Sequence, residues 1–167
     1  GQPFQLNVGN NSHLIVKYDE TLLADLAQDA TKLSAISQLQ LLQDQRLLAE
    51  GRLTSYATVV PLLQTFANSK HVVVTTTLYD GANNLKKFVM PDSEEEHQIQ
   101  MFFDSLSRQQ VARLGWHAPA GESSDDAITR PLVLRAALYA QNAEAIAAAH
   151  DLFVADQADL AALPAEV

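Results

Sequence analysis

Residues 93–116 carry the feature that most restricts the fold, a long helix with signals at both ends. Ser93 can accept a hydrogen bond from an amide of the first turn, and Glu96 completes a capping box. Gly115 can adopt the left-handed conformation that closes a helix, which leaves Trp116 free to fold back on the last turn. The apolar residues between these signals recur at helical intervals, at Ile99, Phe102, Phe103, Leu106 and Leu114. They share one face, which must be buried against other helices.

Most of the remaining chain is also helical in pattern. Apolar spacing and capping residues predict helices over residues 20–28, 31–50, 54–66, 72–88, 129–140 and 142–153, with a short last helix that includes Leu160. Thr129 and Pro131 mark the start of the helix after the loop at 117–126, because proline is common just inside a helix. Residues 72–77 are six β-branched residues, which favour a strand by propensity. We predict a helix there because the apolar residues that follow keep helical spacing.

The helix at 31–50 has apolar residues on two sides. One side holds Leu33, Ile36, Leu41, Leu47 and Leu48, and the other holds Ala35, Leu39, Leu42 and Ala49. A helix covered on both faces is the middle layer that stacked helical hairpins produce. The predicted fold is therefore mainly α, a HEAT/armadillo-like α-solenoid with a short N-terminal β-hairpin.

The hairpin is predicted at residues 3–18. Phe4, Leu6 and Val8 alternate with polar residues, a turn cluster follows at 9–12, and alternation then resumes through Val16 and Tyr18. A lone hairpin is marginal in water, so this one needs the helices or a sheet from elsewhere. We therefore divide the chain into residues 1–18, the end of a preceding β-sandwich domain, and a helical-repeat domain at 19–167.

Composition excludes several classes of partner. The formal net charge is −9, and no basic cluster exists to bind nucleic acid or an anionic membrane. No apolar run approaches the roughly 20 residues that span a bilayer. The chain has no cysteine, which removes disulfides, thiolate zinc sites and a cysteine nucleophile, and together with the acidic composition this predicts a cytoplasmic protein.

No catalytic, cofactor-binding or metal-binding residue is predicted. The histidines do not form HExxH, and Glu94 with His97 lacks a third ligand, so this pair is expected at a solvated helix start. No GxSxG elbow supports an acyl-transfer triad, and no glycine-rich loop supports a nucleotide site. Trp116, Phe102 and Phe103 are expected in the core.

The order of several short motifs resembles a known family. Asn7 with residues 12–19 resembles two strand motifs of aminopeptidase N type enzymes, and Val16, Tyr18 and Asp19 match the second of them. Further similar segments follow in the same order, at residues 40–53, at Leu114-Gly115-Trp116, at Leu134-Arg135 and at 149–153. Residues 68–76 depart from the family pattern, which usually has Glu and then Trp. The chain therefore resembles the C-terminal region of the gluzincin zinc aminopeptidases.

The resemblance implies a non-catalytic part of a larger enzyme. In this family, zinc and a catalytic Glu remove N-terminal residues from peptides, and the motifs that carry them would precede Gly1. The helical domain would enclose the active-site chamber, restrict peptide access and contact the upstream catalytic and β-sandwich domains. The absence of an initiator Met and the Leu-Pro-Ala-Glu-Val ending both suggest a piece of a longer chain. The alternatives are a free-standing helical-repeat module that binds a protein partner and, less favoured, a small enzyme of another kind.

Overall fold

A computed structural model describes residues 4–156. Within that range the chain forms α1 (Glu20–Asp29), α2 (Ala35–Glu50), α3 (Val59–Phe66), α4 (Val72–Leu85), α5 (Glu94–Leu114), α6 (Ser124–Tyr139) and α7 (Ala143–Asp156). Short 3₁₀ turns at Ala30–Lys32, Tyr56–Thr58 and Lys86–Phe88 join or extend these helices. The described residues are all-α, which confirms the mainly α part of the predicted fold. The prediction of a last short helix at Leu160 lies outside the described residues.

The predicted β-hairpin is not formed in this chain, because residues 4–19 contain no strand. The predicted turn is present, and Asn7, Gly9 and Asn10 take positive φ values there. The two arms do not pair with each other, because Val16 and Tyr18 turn inward and pack against the helices. Side chains of α2 take the place of the second strand, and a hairpin that lacks a sheet gains little from its own ladder.

The caps of α5 confirm the predicted helix ends. The hydroxyl of Ser93 accepts from the amide of Glu96 at 3.1 Å. The Glu96 carboxylate accepts from the amide of Asp92 at 2.7 Å, one residue earlier than a standard capping box requires. At the other end Gly115 has φ 66° and ψ 179°, a conformation that is essentially restricted to glycine.

Helix α4 lies in the middle of the packing. It contacts α2 and α3 on one side and α6 on another, and α5 pairs extensively with α6. Residues 72–77 are helical as predicted, and burial of Val74, Leu78 and Tyr79 accounts for the override of β propensity.

Helix α2 is covered less completely than the two-stripe pattern predicts. Ile36 and Leu47 are 53% and 41% exposed, whereas Leu41 and Leu48 of the same predicted stripe are buried. The buried positions of α2 include several polar residues, namely Ser37, Gln38, Gln40, Asp44 and Gln45. The first predicted stripe is therefore covered only in part, and the buried polar side chains were not part of either predicted stripe.

Helix α6 begins earlier than Thr129. The hydroxyl of Ser123 accepts from the amide of Asp126 at 3.2 Å, and the helix runs continuously from Ser124 past Pro131 to Tyr139. Pro131 is exposed, and its position inside the helix removes one backbone hydrogen bond there. The helix following it is capped as predicted, because Asn142 accepts from the amide of Ala145 at 3.1 Å.

Candidate functional site

The predicted absence of catalytic and metal residues leaves no sequence-derived site to locate. The histidines at positions 13, 71, 97, 117 and 150 are all exposed, and so is Glu94. Within residues 4–156 no three His, Cys, Asp or Glu side chains lie close enough together to hold a metal ion. Phe103 is buried as predicted, whereas Phe102 and Trp116 are only half-buried.

The N-terminal segment, residues 4–18, is held on α2 by polar side chains. The carboxylate of Asp44 accepts from the amide of Val16 at 3.0 Å, and the amide group of Gln45 donates to the carbonyl of Val16 at 3.0 Å. Asp44 and Gln45 are buried, at 6% and 1% exposure. Nearer the N-terminus, the side chain of Gln5 donates to the carbonyl of Ser37 on α2 at 3.1 Å. Sequence analysis missed these contacts, because no periodic pattern marks a polar residue as buried.

The environment of Asp44 disfavours its charge. Burial raises the pKa of the Asp44 carboxyl, and the hydrogen bond from Val16 and the nearby Gln40 amide oppose that change. Gln40 is 2% exposed, and neither polar atom of its amide reaches a hydrogen-bond partner among the described residues. A buried carboxylate beside an unpaired amide is costly, so the hydrogen bond from Val16 to Asp44 offsets only part of the cost of burying this pair.

The outer side of the segment is apolar and uncovered. We call its exposed residues, which are 46% to 63% accessible, the N-terminal apolar surface: Phe4, Leu6, Val8, Leu14 and Ile15. Single exposed apolar residues are ordinary, but several of them on one short segment indicate a contact surface.

An open cleft lies between α5 and the turn from α6 to α7. Asp104 is at its centre, where Arg108 pairs with one carboxylate oxygen and Asn142 donates to the other at 3.0 Å. The open cleft has a volume of about 610 Å³, and a smaller pocket of about 160 Å³ beside it is lined by Trp116. Asp104 already has partners for both oxygens, so the cleft offers no group prepared for catalysis.

Two further polar clusters join the helices. The guanidinium group of Arg130 donates to the carbonyls of Leu114 and Gly115 and pairs with Glu122, which ties the 115–123 loop to α6. The ammonium group of Lys86 lies over two aromatic rings, 3.6 Å from the centroid of Tyr139. Burial lowers the pKa of Lys86, and a nearby arginine adds to that effect. Both clusters connect neighbouring elements and are structural by geometry.

Over the described residues, the fold and its surfaces define a class, an all-α helical domain with an apolar surface at its N-terminal segment. The sequence model of the ERAP1-like C-terminal domain family matches residues 4–167, and the chain belongs to that family. It is homologous to the C-terminal domain of aminopeptidase N.

Relatives with this region are much longer proteins. Aminopeptidase N of Lactobacillus helveticus is 52% identical over 167 residues, all of this chain and 20% of the relative. Aminopeptidase N of Lactobacillus delbrueckii subsp. lactis is 49% identical with the same coverage. Aminopeptidase M1 of Arabidopsis thaliana is 28% identical over 160 residues, 92% of this chain and 18% of the relative. The chain thus spans about a fifth of the length of these relatives. No solved structure matches it.

No helix among residues 4–156 is both long and apolar enough to cross a membrane.

Proposed function

We propose that this chain is a non-catalytic helical part of a zinc aminopeptidase that removes N-terminal residues from peptides. Its role there is to enclose the active-site chamber and to restrict which peptides enter. The observation that carries the proposal is the similarity of the whole chain to one fifth of proteins named aminopeptidase N. The proposed parent protein is cytoplasmic and takes part in peptide catabolism.

The proposed partners are the upstream catalytic and β-sandwich domains of the same protein. Residues 1–18 would complete the β-sandwich domain, and residues 19–167 would form the helical-repeat domain. The N-terminal apolar surface supports this division, because five apolar side chains on one short segment are costly to leave in water. Peptide substrates would meet the chain only through the chamber that the domains enclose together.

Zinc belongs to the proposed parent and not to this chain. In such enzymes the metal polarises the peptide carbonyl and activates water. The described residues bring together no three side chains that could bind the metal, so we derive no catalytic step from them.

Docking to the upstream part is the direct test. The upstream part of the parent protein would be produced separately and titrated with this chain, and binding would be measured by analytical ultracentrifugation. The test variant is Phe4→Ser with Val8→Ser, which removes two side chains that are 61% and 63% exposed. The matched control is Phe153→Ser with Val154→Ser on α7, where the side chains are 58% and 52% exposed.

We expect the wild-type chain and the α7 control to bind, and the N-terminal variant to bind at least roughly tenfold more weakly, since two exposed apolar side chains lose their burial. Activity on a peptide of about ten residues and on an aminoacyl anilide, each with and without a chelator, would be measured on the assembled complex. Failure of the wild-type chain to bind would contradict the proposal and would favour the free-standing binding module. Chelator-sensitive hydrolysis by the purified chain alone would also contradict it.

A further inference from the structure

Asp44 and Gln45 bind one residue of the N-terminal segment in the way a neighbouring strand would. A strand pairs with a residue by accepting from its N–H and donating to its C=O. Here the acceptor is the Asp44 carboxylate and the donor is the Gln45 amide, each 3.0 Å from its partner atom on Val16. The two side chains are adjacent on α2, so a rigid helix sets their spacing.

The pair binds both backbone groups of one residue at the same time. An ionised carboxylate only accepts hydrogen bonds, and the amide nitrogen of Gln45 only donates them. Every residue except proline offers both complementary groups, so the alternation of buried side chains decides which residue the pair binds. A shift of the segment by one residue would turn its side chains to the opposite face. Val16 and Tyr18, now 8% and 7% exposed, would face solvent, and Lys17 would face the helices.

Three other hydrogen bonds hold the segment. Gln5 donates to the carbonyl of Ser37 at 3.1 Å, Lys17 donates to the carbonyl of Leu53 at 3.1 Å from an exposed position, and the Tyr18 hydroxyl accepts from the amide of Leu6 at 3.1 Å within the segment itself. None of them holds both backbone groups of one residue, as Asp44 and Gln45 do at Val16.

We propose that Asp44 and Gln45 are positioning residues that fix the register of residues 14–18 on α2 and so aim the N-terminal apolar surface at the upstream domains. The inference rests on the proposed function for the identity of the partner. The register itself is a property of this chain. It gives the buried carboxylate a structural role, since an apolar pair at these positions would pack but would not hold both backbone groups of Val16.

The first experiment measures the register in the 167-residue chain. Hydrogen exchange of the Val16 amide would be followed by NMR in the wild type and in Asp44→Leu, Asp44→Asn and Gln45→Leu. Gln43→Leu is the matched control, since it lies on the same helix and is partly exposed. We expect the exchange rate of the Val16 amide to rise roughly tenfold to a hundredfold in Asp44→Leu, because this amide loses its charge-assisted hydrogen bond. Asn retains an acceptor oxygen, so Asp44→Asn is expected to restore most of the protection.

The second experiment measures the consequence, again with the separately produced upstream part as the binding partner. We expect Asp44→Leu and Gln45→Leu to weaken binding of the chain, and Asp44→Asn and Gln43→Leu to leave it within about threefold of the wild type. Unchanged exchange at Val16 in both leucine variants would overturn the inference whether or not the chain binds. Increased exchange with unchanged binding would also overturn it while leaving the proposed function intact. No binding by the wild-type chain would instead be the failure of the proposed function.

Discussion

Replacing Arg130 with methionine tests whether the 115–123 loop is held by a buried charge. Arg130 and Glu122 form an ion pair with side chains only 10% and 11% exposed. The same guanidinium group also donates to the carbonyls of Leu114 and Gly115, the latter at 2.7 Å. Methionine fills a similar volume without any donor, so Arg130→Met leaves a carboxylate and two carbonyls without their partner.

Breaking a buried ion pair by removing one partner costs about 3–5 kcal/mol of folding free energy. For Arg130→Met we expect a loss at the lower end of that range, about 3 kcal/mol. Two features of the structure reduce it. Glu122 lies in a loop and can turn toward water once its partner is gone. The Nε atom of Arg130 is buried without a partner, so its removal also relieves an existing cost. The double variant Arg130→Met with Glu122→Gln is expected to regain about 1 kcal/mol, because no charge is then left unpaired.

Urea unfolding of the 167-residue chain, followed by circular dichroism, measures both values. With a slope of about 2 kcal/mol per molar urea, the midpoint of Arg130→Met should fall by roughly 1.5 M. If the midpoint of Arg130→Met fell by less than about 0.5 M urea, the argument that this ion pair holds the loop would be refuted. A double variant that is less stable than Arg130→Met would refute it as well. Glu122→Gln alone is the control, because it removes the negative charge of the ion pair and leaves Arg130 in place.

Three further results follow from the core, a helix end and two carboxyls. Leu78→Ala should cost about 2–5 kcal/mol in urea unfolding, because the side chain is 1% exposed in the middle of α4. Gly115→Ala should cost about 1–3 kcal/mol from backbone strain alone, since a Cβ there meets no atom within 4 Å. In NMR titrations Asp126 should titrate below the usual range, because the hydrogen bond from Arg113 lowers its pKa, and Asp44 above it, because burial raises its pKa. The stability that Asp126 contributes is therefore lost as the pH falls through its lowered pKa, whereas Asp44 reduces stability as the pH rises through the window up to its raised pKa.

Each of these results has a contrary outcome. Met101→Ala, at a side chain 55% exposed, is the control for Leu78→Ala, and equal costs would contradict the assignment of α4 to the core. A neutral Gly115→Ala would mean that the residue does not need its positive φ. If Asp126 titrated above Asp44, the assigned contacts of both carboxyls would be wrong.

Helices that carry both periodicity and caps could be predicted from the sequence. Ser93, Gly115 and Asn142 act at the predicted helix ends, because a capping interaction depends on residues within one turn. The β-branched run at 72–77 was also predicted correctly as helix, because the apolar spacing that follows it reflects the tertiary burial that decides such a case.

Features that depend on distant residues could not be predicted. The start of α6 was misplaced because Thr129 and Pro131 resemble a helix start, while Ser123 caps the helix one and a half turns earlier. The hairpin was predicted from alternation, which cannot tell a strand from an extended segment paired by side chains of α2. Asp44 lies in the segment at 40–53 that carries part of the family resemblance, but nothing in the sequence indicated that Asp44 and Gln45 are buried and bind Val16.

The size of the native protein tests the central claim most directly. An antibody raised against this chain would be used to blot an extract of the source cells, and the recognised protein would then be captured and assayed for aminopeptidase activity. We expect a band about five times the 18.2 kDa of the chain, because the chain spans 20% of its relatives, and activity that a chelator abolishes. A band near 18.2 kDa without aminopeptidase activity would contradict the claim that this domain works as part of a larger peptidase.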